Sequence, residues 1–332
     1  MQSIFVVTVP FFALVLCGYV ATRQRLLPEA AIPGLNAYVL FFALPCLLFK
    51  FGSSMPFSTL IDPTLMAIYV VCAMVMVFIT ISATLKSPDD RCGIDLKNSA
   101  FGALVAAFPN TGFMGVPLLV ALLGDAAAGP VISTVLIDLV LTSTFCIALA
   151  QSQERFSPSQ SEPSSMRNSA LRSLRGALTN PLPWSIGLGA LVAATQVQLP
   201  GPVNQLIQML ADSASPVALF TIGAVLCRAS LTGQATGMKT PVVQYLPVAL
   251  LKLFVHPLLV LSIGVIANAL GAPVPAFGLT VLVLAAALPS ASNVSLLAER
   301  YGADNGRIAR IIMASTVMAL VSFSLLAWVL VR

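Results

Sequence analysis

Between positions 98 and 123 an apolar segment contains Phe108-Pro-Asn-Thr-Gly-Phe-Met-Gly-Val-Pro117, with two prolines and two glycines in ten residues. A helix facing lipid must pair every backbone N–H and C=O within itself, because hydrocarbon offers no other partner. Proline removes a donor and glycine unwinds at little steric cost, so both oppose an unbroken helix here. The stretch reads as a helix broken beside a cavity, with Pro109 and Gly112 framing the break and Asn110 and Thr111 lining it. A proline kink would account for this stretch taken alone. The chain holds a second interruption, Ala286-Ala-Leu-Pro-Ser-Ala-Ser-Asn293, inside the apolar segment 275–299. Ala107-Phe-Pro109-Asn matches Ala287-Leu-Pro289-Ser, and Pro117-Leu-Leu…Leu-Gly124 is echoed by Val294-Ser-Leu-Leu…Tyr-Gly302. Interrupted apolar segments at corresponding places in two halves are the signature of a secondary transporter's binding site. Two broken helices crossing at mid-membrane are therefore expected.

Composition supports the membrane setting. Of 332 residues, 58% are hydrophobic and only 9% charged, and the mean hydropathy is +0.95. Soluble domains carry about a quarter charged residues, so this is an integral membrane chain. The net charge of +5 is spread between apolar spans instead of gathered in one patch, which argues against nucleic acid as a partner. The six cysteines, Cys17, Cys46, Cys72, Cys92, Cys146 and Cys227, include no CxxC pair and fall mostly inside spans. Neither a disulfide framework nor a zinc site is expected, and no cofactor or metal.

Ten spans emerge, at roughly 3–22, 33–52, 64–85, 98–123, 128–150, 181–198, 203–227, 241–268, 275–299 and 308–331, each near the about 20 residues a helix needs to cross. Connections after odd-numbered spans carry Arg23 and Arg25; Lys86, Arg91 and Lys97; Arg155, Arg167, Arg172 and Arg175; Arg228 and Lys239; and Arg300, Arg307 and Arg310. The opposite connections at 125–129, 198–201 and 271–274 have no basic residue, and only Lys50 and Arg332 lie toward that side. The positive-inside rule then makes the basic loops cytoplasmic and puts both termini outside. The long Ser-, Pro- and Arg-rich connection at 151–179 reads as a mobile cytoplasmic linker. It divides the chain into a first five-helix repeat, 1–150, and a second, 180–332. Five is odd, so the second half enters the membrane inverted. Spans two and seven also correspond, Pro45-Cys-Leu-Leu-Phe-Lys-Phe-Gly52 with Pro216-Val-Ala-Leu-Phe-Thr-Ile-Gly223. The expected fold is all-α and integral to the membrane, with ten helices in two inverted five-helix repeats.

Ionisable residues inside spans are costly and are functional candidates. Lys252 and His256 are spaced i,i+4 and share a helix face just before Pro257, and Asp138 sits centrally in span five. One reading makes Lys252 an attractor for an anion, with His256 or Asp138 handling a proton. The other has Lys252 paired with Asp138 and His256 packed structurally. Lys50 is expected to snorkel to the interface, and Asp212 to cap a re-entry into the helix at Pro216. At the breaks, half-helix N-termini would point unpaired N–H groups and partial positive charge into the cavity. Carboxylates bind such termini, and Asn110, Thr111, Ser290, Ser292 and Asn293 would add side-chain hydrogen bonds. A small organic anion suits this chemistry better than a bare cation.

Pro109-Asn-Thr-Gly-Phe-Met-Gly-Val-Pro-Leu-Leu119 resembles the fourth-helix signature of the auxin efflux carrier family, and Leu250-Leu-Lys-Leu-Phe-Val-His-Pro-Leu258 resembles its bacterial members. That family includes the plant PIN-formed auxin carriers and bacterial malonate and malate carriers. The resemblance covers essentially all ten spans. It implies a fold like that of sodium/proton antiporters and bile acid symporters, with spans one, two, six and seven as a scaffold that often forms a homodimer. Spans three to five and eight to ten would form a moving transport domain, working as an elevator. The family's crossover asparagine falls on Asn110 and its ninth-span proline on Pro289. Ser290-Ala-Ser-Asn293 differs from the plant carriers, so substrate identity does not transfer, and the short linker looks bacterial.

The expected activity is secondary transport of a small carboxylate such as malonate or malate across a bacterial inner membrane, with proton or sodium as coupling ion and lipid as surroundings. The alternatives are a sodium-coupled organic anion symporter and an auxin-like aromatic acid exporter. No G-x-x-x-x-G-K-[ST] loop is present for ATP-driven transport within this chain. One histidine and isolated acids give an intramembrane enzyme little support.

Overall fold

The computed structural model describes residues 2–54, 62–85, 94–152, 181–235 and 240–331. The linker beyond Ser152 and the basic residues Lys86, Arg91, Arg155, Arg167, Arg172, Arg175, Lys239 and Arg332 lie outside the described residues. The described chain is helical: α1 (Gln2–Arg23), α2 (Glu29–Ser54), α3 (Pro63–Thr84), α4 (Leu96–Ala107), α5 (Thr111–Leu123), α6 (Asp125–Ser152), α7 (Pro181–Thr195), α8 (Gly201–Ala235), α9 (Val242–Ala269), α10 (Ala276–Ala286), α11 (Asn293–Arg300) and α12 (Asn305–Leu330).

Seven helical stretches are long and apolar enough to cross a membrane, within α1, α2, α3, α6, α8, α9 and α12. Three further apolar helices, α5, α7 and α10, are shorter. Two of these owe their length to the interruptions: the apolar segment 98–123 divides into α4 and α5, and 275–299 into α10 and α11. The outer surface is greasy, as lipid contact requires, with Phe78, Trp184, Leu188, Val265, Val317 and Val321 all exposed. Aspartates start three of the helices. Asp62 accepts from the amides of Thr64 and Leu65, Asp95 from Asn98 and Asp304 from Arg307, at 2.9–3.1 Å. Each such cap is worth about 0.5–2 kcal/mol. Gly124 ends α5 with φ +83°, a backbone setting that few side chains tolerate.

The helices pack in two groups that also touch, α1 and α8 both meeting α5 and α12. In one, α1 lies along α8, α7 along α2, and α2 against α8. Small residues permit the closeness. A Cβ on Gly223 would fall 1.8 Å from the Val15 carbonyl oxygen, and one on Gly189 would fall 2.5 Å from that of Phe49. In the other set, α3 packs on α4 and α9, α4 on α6, α9 on α10 and α12, and α11 on α12. Buried Arg307 ties the second set together at one end. Its Nε donates to the Gln244 carbonyl and its Nη1 to that of Asn98, both at 2.8 Å, joining α12 to α9 and α4.

Two readings of surface charge change. Helix α8 runs unbroken through Asp212 and Pro216, so Asp212 caps no re-entry. Pro216 has no N–H for the carbonyl four residues back, which belongs to Asp212, and the helix tolerates that single loss. Lys50, partly exposed, pairs with exposed Asp212 at 3.3 Å instead of only reaching for the interface.

Candidate functional site

The two interruptions meet. Pro109 and Ser290 form an antiparallel bridge. The Asn110 amide donates to the Pro289 carbonyl at 2.8 Å, and the Ala291 amide to that of Phe108 at 3.0 Å. Backbone groups freed when each helix breaks are thus satisfied by the other break, in strand-like fashion and inside the protein, as lipid-depth backbone demands. Pro109, Asn110, Thr111, Pro289, Ser290 and Ser292 are buried, and Gly112 and Asn293 partly so.

Each break starts a new helix. The Asn110 carbonyl receives the amides of Met114 at 3.1 Å and Gly115 at 2.9 Å, so α5 opens with a wide π-turn. Pro117, just beyond, has no amide to give. Asn110 precedes α5 and Ser292 precedes α11, yet neither side chain caps its helix. Asn110 Oδ1, Ser290 Oγ and Asn293 Oδ1 are buried without a hydrogen-bond partner. Buried polar atoms are otherwise nearly always paired, and each unpaired one calls for an explanation. The Ser290 amide is engaged, donating to Ser315 Oγ of α12 at 3.2 Å. Thr111 Oγ1 turns back to the Pro109 carbonyl at 3.5 Å, so Thr111 belongs to the turn as much as to the cavity.

Two hollows adjoin this point. A small one of about 20 Å³, lined by Asn110, Pro109, Gly112 and Asn293 among apolar neighbours, is roughly the size of one water. A cleft of about 340 Å³ shares Leu40, Phe113 and Asn293 with it, and adds Asn36, Arg228, Ser292 and Glu299. Its volume lies within the about 300–1,000 Å³ typical of small-molecule sites.

Behind the second break lies a buried polar chain. Asp138 accepts from Tyr69 Oη at 2.8 Å and Thr142 Oγ1 at 3.1 Å. The Tyr69 ring lies 6.0 Å from that of His256, and His256 Nδ1 is 3.0 Å from Lys252 Nζ. Lys252 Nζ donates to the Ala286 carbonyl at 2.7 Å. Ala286 is the last residue of α10, where a cation complements the helix C-terminus. Asp138 and Lys252 each begin or occupy a π-turn, Asp138–Thr142 and Leu251–Val255, the latter just before donor-less Pro257. The hydrogen bonds of Lys252 thus go to a backbone carbonyl and a histidine, while those of Asp138 go to two hydroxyls. Tyr69 and Ser315 were not foreseen. Thr142 had a signal, its i,i+4 spacing from Asp138, whereas nothing local marked Tyr69, which comes from another helix.

A family model described as "Membrane transport protein", that of the auxin efflux carriers, matches residues 3–327. The chain belongs to that family. Among similar proteins of the family, one named "Putative malonate transporter" from Rhizobium meliloti (strain 1021) is 28% identical over 96% of this chain and 93% of its own. "Uncharacterized transporter YfdV" of Escherichia coli (strain K12) is 25% identical over 88% of this chain and 86% of its own. An "Uncharacterized transporter" of Methanothermobacter thermautotrophicus is 25% identical over 96% and 95% respectively. Membership makes the chain a membrane transporter, with the paired interruptions lying well inside the matched region.

Proposed function

We propose that the protein is a secondary active carrier of a small organic carboxylate, seated where the two interrupted helices meet. The observation that carries this is the set of unpartnered buried polar atoms on Asn110, Ser290 and Asn293, beside a joint whose backbone is already satisfied. Uncapped starts of α5 and α11 add N–H groups and partial positive charge at the same place. Pro109 and Pro289 hold the breaks open, Gly112 gives close access, and Thr111 and Ser292 complete the polar lining. Malonate or malate fits this chemistry, and malonate is the substrate named for the Rhizobium relative.

Inverted repeats are supported by a packing coincidence. Gly52 and Gly223 are the matched glycines of spans two and seven. Gly52 lies against α7, the first span of the second half, and Gly223 against α1, the first span of the first. The close packing of α1 on α8 and of α2 on α7 and α8 supports a scaffold on which the remaining helices move as a body, and through which two copies associate. Such motion carries the joint across the membrane whole. Asp138, His256 and Lys252 act on the site through the Ala286 carbonyl, as the group that couples a proton to movement. The protein sits in a bacterial inner membrane with basic loops inside and both termini outside.

The test is thermal stabilisation of the purified protein by malonate, malate and an aromatic acid, with and without sodium and at two pH values. A ligand that binds only the folded state raises its apparent stability by mass action. A shift with a small carboxylate is expected. A shift with sodium alone, none of the acids acting, would sink the proposal.

A further inference from the structure

The 340 Å³ cleft beside the joint is lined from one side of it. Its α2 residues, Asn36, Ala37, Leu40 and Phe41 among them, fall in the first half of that helix. Val225 lies near the end of the membrane-length part of α8, and exposed Glu299 lies in the last turn of α11. These helix ends adjoin basic residues, since α2 follows Arg23 and Arg25 and α11 ends at Arg300. Toward the opposite surface the joint is covered. There α5 carries buried Met114, Val116, Leu118 and Leu119 and packs on α1, α6 and α8. The small hollow at Asn110 shares Leu40 and Phe113 with the cleft, and both are half-buried. A Cβ on Gly112 would sit 3.8 Å from Leu44 Cδ2, so the start of α5 lies against α2 one helical turn beyond Leu40.

We propose that the cleft is the route by which the carboxylate reaches the joint from the side of the basic loops, and that Leu40 and Phe113 form the neck it must pass. This rests on the carrier reading above. The two apolar side chains border both a mouth that holds Asn36 and Glu299 and a hollow lined by Asn110, whose side-chain oxygen lacks a partner. An anion passing between them sheds hydration without gaining a hydrogen bond, which is costly only during the passage. The neck therefore governs how fast a ligand enters and leaves, and leaves the affinity of the seated ligand alone. Leu40 stands on α2 and Phe113 on α5, so displacement of the broken helices along the scaffold changes its width.

Two experiments on the full chain test this. In the first, single added cysteines meet a membrane-impermeant maleimide in vesicles of known orientation, with the unsubstituted chain as background. Asn36→Cys and Ala37→Cys probe the cleft, while Gln24→Cys and Ala126→Cys, both at exposed positions, mark the two faces. The cleft positions should react chiefly from the face of Gln24. Reaction chiefly from the face of Ala126, or from neither, overturns the route. In the second, the rates of malonate and malate binding are measured for Phe113→Ala, Leu40→Ala and Phe113→Trp. Association and dissociation should both quicken about tenfold in the alanine variants and both slow in Phe113→Trp, with the dissociation constant held. Unchanged rates, or a shifted dissociation constant at an unchanged association rate, overturn the neck. Should Phe113→Ala fail to fold, Leu40→Ala decides by the same measure. A wild type that binds none of the acids overturns the carrier reading and the neck with it, an outcome distinct from the labelling, which needs no ligand.

Discussion

Replacing Asn110 by alanine separates what holds the joint together from what would hold a ligand. The backbone of residue 110 donates to Pro289 and accepts from Met114 and Gly115, and all of these bonds survive truncation at Cβ. Its φ of −77° is open to alanine. The side-chain oxygen has no protein partner to lose. Leaving a buried polar group unpaired costs about 1–3 kcal/mol, so removing one should leave the ligand-free protein as stable as before, or slightly more so. The loss should fall on the ligand. A hydrogen bond to a charged group is worth about 1.5–3 kcal/mol, which is roughly 10- to 100-fold in affinity. Two assays are read together: the thermal midpoint of Asn110→Ala without ligand, and its dissociation constant for malonate or malate with uptake into proteoliposomes. An unchanged midpoint with at least tenfold weaker binding is expected. A protein that unfolds at markedly lower temperature while its folded fraction binds normally would refute the reasoning, because residue 110 would then be a packing residue.

Tyr69→Phe removes the donor to Asp138 Oδ2 and should destabilise the protein by about 1–3 kcal/mol, read as a lowered unfolding midpoint. Lys252→Met leaves the Ala286 carbonyl at the end of α10 without its ammonium and should likewise lower the midpoint, with ligand affinity of the folded fraction little changed. A large affinity loss at unaltered stability would instead make Lys252 a ligand contact. Gly223→Ala drives a methyl into the Val15 carbonyl and should cost about 1–3 kcal/mol of overpacking, whereas Gly187→Ala, inside α7 with nothing within 4 Å, should leave the same melt unchanged or raise it by up to about 1 kcal/mol of helix stability.

The breaks were legible because their signal is local and chemical: Pro109, Gly112, Pro289 and Ser290 each oppose a plain apolar helix at a depth where only such helices are cheap. Helix then fills the apolar stretches among the described residues, seven of them long enough to cross a membrane, since a run of about 20 apolar residues has few other stable forms in lipid. What sequence alone could not supply was partnership. Asn110 finds Pro289 across 179 positions, and Lys252 finds Ala286 across 34, by contacts that no periodicity encodes. Asp212 misled for a related reason: beside Pro216 it has the look of a cap, yet its partner is Lys50 on another helix. Arg228, counted among loop charges, lies on the wall of a cleft that exists only once α2, α8 and α11 are brought together.

The joint between residues 108–110 and 289–291 is made by main-chain atoms alone. Its strength is therefore indifferent to which side chains stand at positions 110, 290, 292 and 293. Any of those four side chains can change, so long as the backbone N–H of residue 110 is kept, without loosening the knot that keeps the broken helices in register. The joint is in this sense a socket whose fittings can be exchanged without recutting it, so divergence of these side chains need not undo the architecture around them.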